Sequence, residues 1–108
     1  MWRKKMIEKI GEALSAVVPN TYHYWRPGLS APFCVWSEDS GRSLNSDNGS
    51  RDFAHEGTVD YFTKEEFDPA IDLIQSALGE VCTFYLNSVQ YEEETGLIHH
   101  EWAWLLYG

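Results

Sequence analysis

The sequence predicts an α+β fold: a two-layer sandwich of a mostly antiparallel sheet of about five strands with two helices packed on it. Three observations carry that expectation. Residues 6–18 and 69–78 place apolar side chains at three- and four-residue steps, the spacing of an amphipathic helix. Five other segments are short, rich in β-branched and aromatic residues, and bounded by turn residues, as strands are. The 108 residues are 44% hydrophobic and 15% aromatic, which suits one packed domain spanning residues 1–108 that buries roughly two-thirds of its unfolded surface.

In chain order, Met6, Ile7, Ile10, Ala13, Leu14, Val17 and Val18 form the stripe of a first helix, stopped by Pro19-Asn20. Thr21–Trp25 reads as a short strand ended by Arg26-Pro27-Gly28. Ala31–Glu38 reads as a second strand, with Phe33 and Val35 on one face and Cys34 and Trp36 on the other, hence covered on two sides. A polar, turn-rich stretch without periodicity follows, a long loop or hairpin arm at about 38–56 in which Leu44 and Phe53 are isolated anchors. We expect residues 39–55 to order only on assembly with a neighbour.

The chain is organised around residues 57–79. Thr58–Thr63 alternates, Val59 and Tyr61 facing one way and Thr58, Asp60 and Phe62 the other. Asp68-Pro69 supplies a capping oxygen and a residue preset for the first helical turn. Thr63-Lys64-Glu65-Glu66 also fits a capping box, but Pro69 would then sit inside the helix, so the later start is preferred. Ile71, Ile74 and Leu78 make the apolar stripe, and Gly79 is the expected residue just past its end. Cys82–Gln90 is a fourth strand, with Phe84, Leu86 and Ser88 on one face and Thr83, Tyr85, Asn87 and Val89 on the other. A turn over Tyr91–Gly96 leads to a fifth strand, Leu97–Tyr107, where Trp102 and Trp104 alternate with Glu101 and Ala103. Trp36, Tyr61, Phe84 and Trp104 are core candidates.

Charge narrows the function. The net charge of −9 is uneven: five Lys and Arg stand against two Glu in residues 1–26, whereas residues 65–108 hold nine carboxylates and no Lys or Arg. That balance argues against nucleic-acid binding, which needs a basic face, and permits head-to-tail association. Cys34 and Cys82 read as free thiols of a protein made in a reducing interior. The basic start breaks into helical periodicity without an apolar leader core, and no run reaches membrane-spanning length.

Catalytic and metal motifs are not expected. His99-His100-Glu101 contains the His-x-Glu of zinc deaminases without the paired cysteines that complete that site. On a strand His99 and Glu101 share a face while His100 points away, so the two histidines cannot hold one ion. Glu92-Glu93-Glu94 lacks calcium-loop spacing. No nucleophile motif or phosphate loop is present, so no catalytic residue, metal or cofactor is expected.

Several segments carry a resemblance: Val18-Pro19-Asn20-Thr21-Tyr22, Ala31-Pro32-Phe33 with Val35-Trp36, Gly57–Thr63, Phe67-Asp68-Pro69, Leu86–Glu92 and Thr95–Trp102. Across nearly the whole chain apart from residues 38–55, they resemble a family of small tail proteins of Firmicutes siphophages and prophages, similar to tail-terminator (tail-completion) proteins. The resemblance implies a sandwich that closes into a hexameric ring. That ring would cap the tail tube in the virion tail, assembled in the bacterial host cytoplasm, and join it to the head-tail connector protein. It implies no catalytic residues, no cofactor, no membrane and no sequence-specific nucleic acid. Met1–Lys5 looks like an extension beyond the family's usual start.

Candidate interface residues for contact with itself, the tail tube protein and the connector are Tyr24, Trp25 and Arg26 beside the turn after the first strand, and Arg42, Leu44, Arg51 and Phe53 in the arm, with Leu44 and Phe53 as its apolar anchors. Two rivals belong to other classes. An acidic, DNA-mimicking inhibitor of a host nucleic-acid-binding defence protein would co-purify with a basic partner in a salt-sensitive way. A small-molecule enzyme would need a deep pocket with convergent polar groups.

Overall fold

β3 (Phe53–Thr63) and β5 (Leu97–Tyr107) are the strands on which the rest is laid. In this computed structural model the described residues are 2–26, 28, 30–43 and 53–107, with the side chains of residues 2–4, 40–43, 53 and 54 excepted. The remaining elements are α1 (Trp2–Ser15), β1 (Thr21–His23), β2 (Phe33–Ser43), α2 (Ala70–Val81) and β4 (Thr83–Glu92). The five strands form one sheet in the order β1-β2-β3-β5-β4. β1 runs parallel to β2 and every other pair is antiparallel. The α+β architecture is therefore as expected, with a mixed sheet.

Side-chain alternation splits the sheet into two unequal faces. On one face, Ile7, Ile10, Leu14 and Val18 from the α1 region and Ile74 and Leu78 from α2 bury Cys34, Trp36, Val59, Tyr61, Trp102, Trp104 and Leu106. A fully buried Ile or Leu contributes roughly 1.5–3 kcal/mol of transfer free energy. The indole N–H groups are satisfied as well: Trp102 donates to Gln75 of α2 at 3.0 Å and Trp104 to the Thr58 carbonyl at 3.3 Å. The opposite face holds a smaller apolar cluster of Phe33, Val35, Phe62 and Leu97, edged by Tyr22 and Ala31.

Several boundaries move. α1 starts at Trp2 and ends at Ser15, after which a turn keeps Val18 on Leu14 through a 2.8 Å backbone bond. Gly79 lies inside α2 instead of beyond it. The helix is stopped by Cys82, whose backbone turns extended while its N–H still reaches the Leu78 carbonyl. β2 and β3 run far into the polar stretch and pair as far as Ser43 opposite Phe53, across an irregularity between Glu38 and Ser40. Residues 39–43 and 53–55 are thus strand in the single chain, where a loop was expected; the rest of the 39–55 segment expected to order on assembly lies outside the described residues.

A bulge between Leu86 and Ser88 changes which faces β4 presents. Leu86 sits opposite Trp102 and Val89 opposite His100, both on the helix side, whereas Tyr85 and Ser88 oppose Ala103 and Glu101 on the open side. The sequence reading, lacking the bulge, grouped Ser88 with Leu86 and Val89 with Tyr85. Both cysteines are free. Burial, assisted by Asp60, pushes the Cys34 thiol up to about 12, and burial pushes Cys82 up to about 11. Neither is a reactive thiolate at neutral pH.

At Gly57 the neighbours come close: a Cβ there would overlap the Ser37 carbonyl oxygen and lie 2.6 Å from a ring carbon of Trp104. Gly57→Ala is expected to cost about 1–3 kcal/mol in chemical denaturation. Gly28→Ala, at a position with open space around it, should stay within about 0.5 kcal/mol of the parent.

Candidate assembly surface

The open face of the sheet is a chain of stacked rings and charges. Period-two alternation on β3 and β5 brings Asp60, Phe62, His99 and Glu101 to this side, with Asp60 directly opposite Glu101 and Phe62 opposite His99. Phe62 is the hub: Phe33 stacks on it at 4.7 Å, His99 at 4.3 Å, and the Arg26 guanidinium lies 4.4 Å from its centroid. Arg26 also grips Glu92 with two hydrogen bonds of 2.7 and 3.2 Å. Those bonds hold the Glu92 carboxyl below its ordinary range against the opposing effect of desolvation, with help from the Thr95 hydroxyl. His99 Nε2 lies 2.6 Å from Asp60 Oδ1.

A second polar knot ties the end of β3 to the start of α2. The Asp68 carboxylate accepts the hydroxyls of Tyr61 and Thr63, each at 2.7 Å, and the Ala70 amide at 2.8 Å. This is the helix cap expected from Asp68-Pro69, extended by two strand side chains. Desolvation works against the charged form, but these three donors outweigh it and keep the Asp68 carboxyl below its usual value. Burial, followed by the bond to Asp68, pushes the Tyr61 phenol far above its ordinary range. His100, buried beside this knot, is shifted down by desolvation and by neighbouring His99.

Exposed apolar side chains recur along β4, the last strand of the sheet, on both its faces. Tyr85, Leu86, Val89 and Tyr91 are 59%, 47%, 51% and 64% exposed. The outer edge of this ten-residue strand has no neighbouring strand among the described residues. Phe67 protrudes nearby in sequence, before α2, at 89% exposure. The grooves on the surface are shallow and open; one of about 500 Å³ is lined by Arg26, Ala31, Phe33, Lys64 and Leu97 among others.

Of the sequence-selected interface residues, Trp25 is 80% exposed and Tyr24 is exposed with its hydroxyl donating to the Glu38 carbonyl. Tyr24 adopts a φ of 72°, which aims the chain away from β1. Arg26 is committed to Glu92 and Phe62 within the chain. Leu44 and Arg51 lie outside the described residues, as do the side chains of Arg42 and Phe53. Sequence reasoning missed the β4 surface because the bulge that gathers Leu86 and Val89 is invisible in the alternation. It missed Asp60 as the partner of His99 because that pairing depends on strand register.

No family model matches this chain, and no curated protein does. Among the solved structures that match is a chain of the "Virion of native gene transfer agent (GTA) particle", at TM-score 0.47 and 14% identity, covering 88% of this chain and 84% of that one. A likeness of that degree carries no functional argument. No helix among the described residues is long and apolar enough to cross a membrane.

The Asp68 knot gives stability a pH signature. Because the folded carboxyl titrates lower than the unfolded one, its contribution is fully present above the unfolded value of about 4 and is lost as pH falls through the folded value. Asp68→Asn should flatten that acid limb and cost about 1–3 kcal/mol at neutral pH, read by denaturant titration across pH.

Proposed function

We propose that this chain is a structural protein of a phage tail, a single domain of tail-terminator type. In this reading it packs against copies of itself as a ring, of six by the resemblance, caps the tail tube protein and meets the head-tail connector. The observation that carries the reading is the long apolar edge strand β4. An unprotected edge of this kind invites pairing with another chain and is a hazard in a protein that works alone.

A contact from β4 to a different surface of the next copy is heterologous, and a heterologous contact whose rotation closes makes a ring. The arm formed by β2 and β3, with Arg42, Leu44, Arg51 and Phe53, is the proposed reach toward that neighbour, and Tyr24 and Trp25 add exposed aromatic surface. The basic residues 1–26 and the acidic residues 65–108 offer unlike charge for contacts between copies. The sequence resemblance supplies the tail-end role and the virion location.

Native mass spectrometry and negative-stain microscopy, with and without tail tubes, test this. The parent chain should form closed rings, and Leu86→Lys combined with Val89→Lys should give a folded monomer with an unchanged circular dichroism spectrum. Parent protein that stays monomeric even with tubes, or rings that survive the double substitution, would overturn the reading.

A further inference from the structure

Asp60, His99 and Glu101 bring one ligand atom each to within 4.8 Å of one another on the open face of the sheet. Asp60 and Glu101 are directly opposed across the β3–β5 pair, a placement in which like charges repel. His99 Nε2 meets the first of them at 2.6 Å, and Glu101 makes no hydrogen bond or ion pair with any other described residue. The rings that hold the imidazole are rigid: His99 is stacked on Phe62, which is itself stacked on Phe33.

Behind the imidazole, Glu92 Oε2 lies 3.9 Å from His99 Nδ1, on the side away from the Asp60 carboxylate, and Arg26 anchors that glutamate. Nε2 shares a proton with Asp60 Oδ1 at 2.6 Å, so an ion enters there by displacing that proton, as metal binding to imidazole does. The Thr58 hydroxyl, 3.4 Å from Asp60 Oδ2, steadies the second carboxylate oxygen. A groove of about 380 Å³ lined by Glu101, Thr58, Tyr85 and Ala103 opens on one side of the cluster.

We propose that Asp60, His99 and Glu101 bind one divalent transition-metal ion of the zinc class. One imidazole and two carboxylates are a donor set such ions accept, with open positions filled by water. The ion relieves the repulsion between the two opposed carboxylates and locks β3 to β5. His100 takes no part, because it lies on the opposite face beside Val89. This inference does not depend on the assembly reading.

Chelator-stripped full-length protein is titrated with zinc by calorimetry and with cobalt(II) by visible absorption, and melting is followed with and without zinc. One equivalent should bind saturably and raise the melting temperature. Glu101→Gln and Asp60→Asn should each weaken binding about 10-fold or more. If Asp60→Asn fails to fold, Glu101→Gln decides, since that side chain has no hydrogen-bond partner to lose among the described residues. Absence of saturable binding by the folded parent, or unchanged affinity in Glu101→Gln, would overturn the proposal, leaving Asp60–His99 as an ordinary hydrogen bond.

Discussion

Everything in this molecule depends on burying a set of large aromatic side chains on one side of β3 and β5. Trp102, Trp104 and Tyr61 are among its largest fully buried side chains, and both helices are positioned by covering them. Because successive strand residues point to opposite faces, committing Val59, Tyr61, Trp102 and Trp104 to the helices forces Asp60, Phe62, His99 and Glu101 onto the other side. The polar, ring-stacked face is therefore a consequence of the core. Its composition is what distinguishes it from a merely solvated sheet.

Two helices are too few to cover five strands. α1 and α2 shield the middle of the sheet, while β4 at the edge keeps Leu86, Val89 and Tyr91 exposed on the helix side. The bulge in β4 turns Val89 to the same side as Leu86, concentrating apolar surface that strict alternation would have divided. On the open face, Arg26 crosses from the segment after β1 to Glu92 at the far end of β4, tying the two borders of the sheet over Phe62. The segment after β1 is thus held to the end of β4 by a charge pair and a cation–π contact, while Leu86, Val89 and Tyr91 stay exposed.

The Asp68 knot joins the two organising levels. It caps α2 through the Ala70 amide and holds the end of β3 through Tyr61 and Thr63, so helix placement and strand placement are set by one carboxylate. Such shared partners make a local change felt at both elements.

By itself the sequence determined the α+β class, the two helices, the five strands and the division of β2 and β3 between faces. Those features follow from periodicity and capping, which are local along the chain. It also placed His99 and Glu101 on one face and Trp36, Tyr61 and Trp104 in the core. Only the tertiary structure decided the parallel pairing of β1, the extension of β2 and β3 into the polar stretch, the bulge in β4, and the meeting of Asp60 with His99 and of Arg26 with Glu92. Each of these depends on register between segments distant in sequence: Asp60 and His99 are 39 residues apart, Arg26 and Glu92 66. Register is set by packing of the whole sheet against its helices, and no single stretch of chain contains that information.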